Sequence, residues 1–122
     1  MPTSVGEKIC KKVIEKLTGC KFKKVRPEFL KNPKTGRCLE IDCYNDKLKL
    51  GVEYNGMQHY IFVPQYHKSK EDYQQQVYRD KLKAKLCKRN NIKLITVKYD
   101  VEDIEQYITK EYSKINRKCN II

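Results

Sequence analysis

Residues 39–60 read LEIDCYNDKLKLGVEYNGMQHY, and this stretch decides how the rest of the chain is read. Two runs alternate with a period of two, as half-buried strands do. In Cys38–Tyr44, Leu39, Ile41 and Cys43 share one face while Glu40 and Asp42 share the other. In Leu48–Asn55, Leu48, Leu50, Val52 and Tyr54 face one way, and Gly51, Glu53 and Asn55 the opposite way. Asn45-Asp46-Lys47 supplies a tight connection. A two-residue loop at Asp46 and Lys47 pairs Asn45 with Leu48, setting Glu40 opposite Glu53 and Asp42 opposite Gly51. The hairpin then has one aliphatic face and one acidic face.

Working outward, a first helix is expected from Val5 to Leu17. Ser4 and Glu7 have capping-box spacing and Gly19 is a stop. Val5, Ile9, Val13 and Leu17, joined by Cys10 and Ile14, form the expected core stripe. Lys21–Arg26 reads as extended and ends at Pro27, and residues 32–36, NPKTG, form a turn. After a loop with Pro64 comes a long helix from Lys70 to Arg89, ended by Asn90-Asn91. Ile92–Tyr99 reads as a buried strand, and Asp100 starts a last helix with Ile104, Tyr107, Ile108 and Ile115 as its apolar stripe. The order is helix, three strands, helix, strand, helix. A strand that follows a helix implies a right-handed crossover, hence an α/β (α+β) fold with a mixed central sheet flanked by helices.

The chain of 122 residues suits one domain, 1–122, with one core, and shows no repeat or Pro/Gly/Ser-rich linker. No run approaches the roughly 20 apolar residues of a membrane span. The start MPTSVGEKICKK has no apolar signal region, so an intracellular protein is expected, in cytoplasm or nucleus. The Lys, Asn and Ile bias suits an AT-rich genome such as that of a virus, phage or parasite, and a viral protein would act in the host cell. The six cysteines form no CxxC pair and lie at least 16 residues from either histidine, so they read as reduced thiols and not as zinc ligands or disulfides. His67 reads as a surface residue. A net charge of +12, from 27 Lys and Arg against 15 Asp and Glu, attracts polyanions. A lysine-rich proteome would give the same bias.

Two carboxylates on adjacent strands repel unless a cation neutralises them. Oxygen-only donors suit Mg²⁺ or Mn²⁺, which accept one or two carboxylates and keep waters for a substrate phosphate. The competing reading leaves Asp42 and Glu53 solvated on a half-exposed sheet.

The central 22 residues resemble the PD-(D/E)xK restriction-endonuclease-like superfamily, in the branch of very-short-patch repair (Vsr-like) endonucleases. The shared features are a Leu-Glu-Ile-Asp strand, a short turn, an aliphatic strand ending in Glu-x-Asn-Gly, and a closing Gln-His. The resemblance implies an αβββαβ core with an extra C-terminal helix. It also implies Mg²⁺-dependent hydrolysis of DNA phosphodiesters, with Asp42 and Glu53 as metal ligands. Asn55 stands where the family pattern has lysine, so either its amide positions water or a basic group from elsewhere substitutes, with Lys83 the candidate and Arg79 beside it. Glu7 matches a first-helix acid that holds water or a second metal, while its capping-box role with Ser4 remains equally open. Gln58 and His59 match polar site positions, His59 as general base or water holder, against a purely structural role. Gly56 is read as allowing a sharp turn after the ligand strand. On the long helix Gln76, Asp80 and Lys83 share a face. Lys21, Lys23, Lys24, Arg26, Lys31, Lys34 and Arg37, with Arg79 and Lys83, would track phosphates.

The expected activity is therefore a Mg²⁺-dependent endodeoxyribonuclease, which as a homodimer could cut both strands. The alternatives are a catalytically degenerate nucleic-acid-binding module of the same fold, and a scaffold whose acidic face meets a basic partner. No zinc finger or helix-turn-helix argues for long-site specificity.

Overall fold

The computed structural model describes residues 4–120, with side-chain surroundings described to residue 116. Its elements are α1 (Val5–Thr18), β1 (Lys23–Val25), β2 (Ile41–Asn45), β3 (Leu50–Asn55), α2 (Lys70–Arg89), β4 (Lys93–Lys98) and α3 (Ile104–Asn120), with short 3-10 turns at Glu28–Leu30 and Met57–His59. This is the expected order. The strands form one sheet in the order β1-β2-β3-β4, antiparallel except for the parallel β3–β4 pair. The fold is thus α+β with a mixed sheet.

The sheet separates two apolar layers. On one side Cys10, Val13 and Ile14 of α1 and Ile108 of α3 meet Cys43, Leu50, Val52, Ile95 and Val97. On the other, Cys87 of α2, with Leu82 and Leu86, meets Leu30, Leu39, Ile41 and Ile92. Both faces of β3 are therefore covered, and Glu53 lies under α2, 4% exposed, rather than on the solvated face of the competing reading. A buried carboxylate there must find a partner.

The ends of α1 follow the sequence. Ser4 Oγ accepts from Glu7 N at 3.1 Å, and Gly19 closes the helix in the left-handed region at φ 70°. Its stripe does not: Val5 is 74% exposed and Ile9 40%, because the buried face centres on Cys10, Val13 and Ile14. α1 approaches β3 closely at Gly6, where an added Cβ would lie 2.6 Å from the Tyr54 ring. The last helix starts at Ile104 rather than Asp100, with Asp103 Oδ1 accepting from Gln106 N at 2.9 Å.

The hairpin register also differs. Cys43 pairs with Val52, Tyr44 with Gly51 and Asn45 with Leu50, so the connection is the four residues 46–49. Asn45 Oδ1 accepts from Leu48 N at 2.9 Å and Lys49 takes φ 52°. Leu48 is left 42% exposed in the turn.

On its other edge β2 pairs Lys23 with Tyr44 but Val25 with Ile41, so three steps on β2 match two on β1. That extra residue is a bulge, which re-aims side chains locally. Ile41 consequently joins the α2 layer while Cys43 joins the α1 layer, against the expected shared face. Asp42 lies within the bulge.

Among the described residues no helix is long and apolar enough to cross a membrane. The five described cysteines are free thiols, and burial pushes those of Cys10 and Cys43 up to about 12, which makes them unreactive. His67 is not at the surface. It is 4% exposed, accepts from Val63 N through Nδ1 at 3.0 Å, and lies against Phe62 and Tyr73.

Candidate active site

A cleft of about 420 Å³ opens where the N-terminus of α1, the bulge of β2, the end of β3 and α2 converge. Glu7, Asp42, Glu53, Asn55, Gln58, His59 and Lys83 all line it. These residues come from positions 7 to 83 of the chain, and each was singled out from sequence.

Asp42 comes from the bulge. Its Oδ2 accepts from Tyr54 N at 3.2 Å, which ties it to the strand that carries Glu53. Burial and the nearby charge of Glu7 raise its pKa, while the Tyr54 N–H, Lys83 and Lys24 pull it down. Glu53 is 4% exposed, and burial pushes its pKa up to about 7 against the pull of Lys83.

Lys83 enters from α2, and its Nζ lies 2.6 Å from Glu53 Oε1. A lysine thus stands at this carboxylate even though Asn55 occupies the strand position two residues on. Lys24 reaches Glu7 and Glu40, each at 3.3 Å. It is part of the cleft itself rather than of an outer rim. Glu7 keeps the backbone half of the capping box, but its carboxylate turns to Lys24.

His59 sits on the 3-10 turn after β3, with Nδ1 at 2.9 and 3.1 Å from the two carboxylate oxygens of Asp80. Gln76 Nε2 approaches the same His59 nitrogen at 3.3 Å and bonds Asp80 Oδ1 at 3.3 Å. With Nδ1–H donated to Asp80, Nε2 carries the lone pair, as in a base oriented by a carboxylate. Gly56 has φ −69°, which any residue adopts, so the sharp-turn role is not needed. The glycine leaves space instead, since a Cβ there would meet Gln58 Oε1 at 2.5 Å.

Arg26 bonds Glu40 at 2.9 Å and the Cys38 carbonyl at 3.1 Å. Lys34, Arg37 and Arg79 line a groove beside the cleft. Lys23 lines a separate hollow with Pro27 and Tyr44, and Lys21 and Lys31 line neither the cleft nor the groove. Sequence reasoning did not single out Tyr66, which lines the cleft from the loop before α2, or Glu40 as the partner of Lys24 and Arg26. Loop residues carry no periodic signal, so Tyr66 had none to give; Glu40 had one in its acidic alternation.

Among the described residues no three His, Cys, Asp or Glu side chains form a ready metal cage. The cleft carboxylates Glu7, Asp42 and Glu53 nonetheless offer only hard oxygen donors. That chemistry fits an ion such as Mg²⁺, which takes one or two carboxylates and completes its shell with water and substrate.

The chain is 50% identical to uncharacterized protein 307L of Invertebrate iridescent virus 6, over 92% of the chain and 63% of that protein. Against uncharacterized protein 033L of Invertebrate iridescent virus 3 the identity is 48%, over 81% of the chain and 51% of the relative. Uncharacterized protein 094L of Frog virus 3 is 44% identical, over 88% of the chain and 70% of its own length. The chain belongs to the family of 094L. Relative to the two invertebrate-virus proteins it spans 63% and about half (51%) of their lengths. No family model and no solved structure matches it.

Proposed function

We propose that this member of the 094L family is a Mg²⁺-dependent nuclease with a restriction-endonuclease-like core, hydrolysing DNA phosphodiesters at the cleft. The observation that carries the reading is the Lys83–Glu53 contact of 2.6 Å. It supplies, from α2, the cation that the resemblance leads one to expect at position 55. Asp42 and Glu53 would hold the ion, with Glu7 placed to hold a water.

When bound, such an ion polarises a phosphoryl oxygen and makes its water more acidic. The chain's own groups then divide the remaining work. His59 Nε2 accepts a proton from the attacking water, while Asp80 holds the ring by Nδ1 and stabilises the imidazolium that forms. Lys83 gives one proton contact to Glu53 and has two further N–H donors for a phosphoryl oxygen. As the water oxygen bonds to phosphorus, the bond to the departing sugar oxygen breaks, and that oxygen takes a proton from solvent to leave as a hydroxyl. Gln58 and Asn55 line the same wall with amide donors. Arg26, Lys34, Arg37 and Arg79 would hold the flanking backbone, giving salt-sensitive binding.

The test is cleavage of mixed DNA substrates in Mg²⁺, Mn²⁺ or EDTA by wild type, Asp42→Ala and Glu53→Ala. Metal-dependent cutting lost in both variants supports the nuclease. The closed Lys83–Glu53 pair favours one other reading, a binding module in which lysine replaces the ion. Intact, salt-sensitive binding with no cutting of any substrate would select it.

A further inference from the structure

Beside the cleft lies a second, larger groove of about 630 Å³, bounded by the turn after β1 and one face of α2. The two are continuous. Arg26 and Arg79 line both the groove and a short passage, and that passage shares Glu40 and Lys83 with the cleft. Along this trench α2 presents Gln75, Tyr78 and Arg79, then Lys83.

The groove's charges are available. Lys34, Arg37 and Arg79 have no carboxylate partner among the described residues, since Arg79 bonds the Gln76 amide and Lys34 Nζ sits 3.8 Å from the Tyr78 ring centroid. Arg26 is tied to Glu40, and Glu71 is the one acidic residue lining the groove. A half-buried aromatic ring ringed by unpaired cations is the combination that holds single-stranded nucleic acid, with bases on the ring and phosphates on the cations. The ammonium over Tyr78 is an exposed cation–π contact, weak enough for a base to displace. A duplex keeps its base faces stacked inside the helix, so the Tyr78 ring can meet bases only where the strand is unpaired.

We propose that the groove is a single-strand subsite, which holds an unpaired DNA segment leading away from the cleft. At the helical rise, Gln75 and Lys83 are about 12 Å apart along α2. At roughly 3.4 Å per stacked nucleotide, the subsite takes about three nucleotides next to the phosphate at Lys83. The substrate class is then DNA with a single-stranded tail or flap. This deepens the nuclease reading and rests on it for what happens at the cleft, but the strand affinity stands by itself.

The experiment separates the two. Fluorescence anisotropy in EDTA measures binding of the full chain to a labelled single-stranded 12-mer and to a blunt hairpin duplex, across a salt series. Tyr78→Leu and Lys34→Ala/Arg37→Ala are compared with wild type. The single strand is expected to bind more tightly than the duplex. Tyr78→Leu should lose roughly 5- to 150-fold in affinity. The exposed double variant, which leaves the core untouched, should flatten the salt slope by about 1.4. Wild-type affinity in both groove variants, or equal binding of duplex and single strand, overturns the subsite whatever the cleft does. Strand binding as expected with no cutting of tailed DNA upholds the subsite and removes the nuclease instead.

Discussion

Lys83 Nζ and Glu53 Oε1 lie 2.6 Å apart across 30 residues of chain, both largely buried, at the wall of the acidic cleft. Their pairing joins α2 to β3 and sets the charge balance of the site.

Replacing Lys83 by Met leaves the Glu53 carboxyl buried without its cation. Because burial already pushes the pKa of Glu53 up to about 7, the carboxyl takes up a proton when its cation is lost. The destabilisation is therefore small near pH 7 and grows as pH rises, which urea denaturation at pH 7 and 9 will read. Cleavage should fall at least 100-fold, in line with loss of an electrostatic stabiliser. Adding Asn55→Lys to that variant should restore part of the activity by supplying the amine from β3. Wild-type cutting by Lys83→Met would remove this lysine from the mechanism.

The Glu53 carboxyl also imposes a pH dependence on metal-free protein. Its pKa rises from the ordinary 4.5 to about 7 on folding, mainly through burial. Below pH 4.5 it is protonated in both states and its contribution is intact. Between 4.5 and 7 the unfolded chain sheds the proton while the folded chain keeps it, so stability falls as pH rises, by ~3 kcal/mol in all. Denaturation in EDTA at pH 4.5 and 8 should show a larger fall in wild type than in Glu53→Gln, where the raised pKa of Asp42 still contributes. Parallel pH curves for the two proteins would contradict it.

His59→Asn should lower kcat by about 100-fold or more, the usual yield of a positioned base. Asp80→Asn should reduce kcat less while leaving KM in place, because it disturbs the ring's orientation and the support of its imidazolium while the ring itself remains. A wild-type kcat in His59→Asn would leave His59 a structural residue of its turn.

Gly6→Ala tests the seam between α1 and β3. The added methyl would lie 2.6 Å from three atoms of the Tyr54 ring. Overpacking of this kind costs roughly 1–3 kcal/mol, despite alanine's better helix propensity. A urea midpoint equal to or above wild type would mean that the ring swings aside freely.

What the sequence disclosed follows from which physical signals are local. The Ser4 cap, the Gly19 stop and the long polar helix ending near Arg89 are written in neighbouring residues, and all three stand. The hairpin register depends on a turn held by the Asn45 side chain and a positive φ at Lys49, neither of which follows from alternation. The resulting shift of two residues kept every β3 side chain on its expected face, so Glu53 was correctly grouped with Gly51 and Asn55. The bulge is different. One extra residue on β2 separates Ile41 from Cys43, and only tertiary pairing with β1 reveals it. The Asp80–His59 contact likewise joins two elements 21 residues apart, beyond any periodic pattern.

The position of β3 has a consequence for how the cleft opens and closes. β3 is hydrogen-bonded on both edges, to β2 and to β4, and covered on both faces. Its central amides should therefore exchange with solvent only when the whole domain unfolds. The 3-10 turn with His59 and the loop with Tyr66 have no sheet pairing, and Met57, Ile61 and Tyr66 are exposed, although buried His67 anchors the loop against Phe62 and Tyr73. Hydrogen exchange should find the carboxylate wall among the slowest amides and the histidine wall, with only local turn bonds, faster. Such a cleft has one fixed jaw and one that can yield, so it can admit a substrate without disturbing the groups that hold charge.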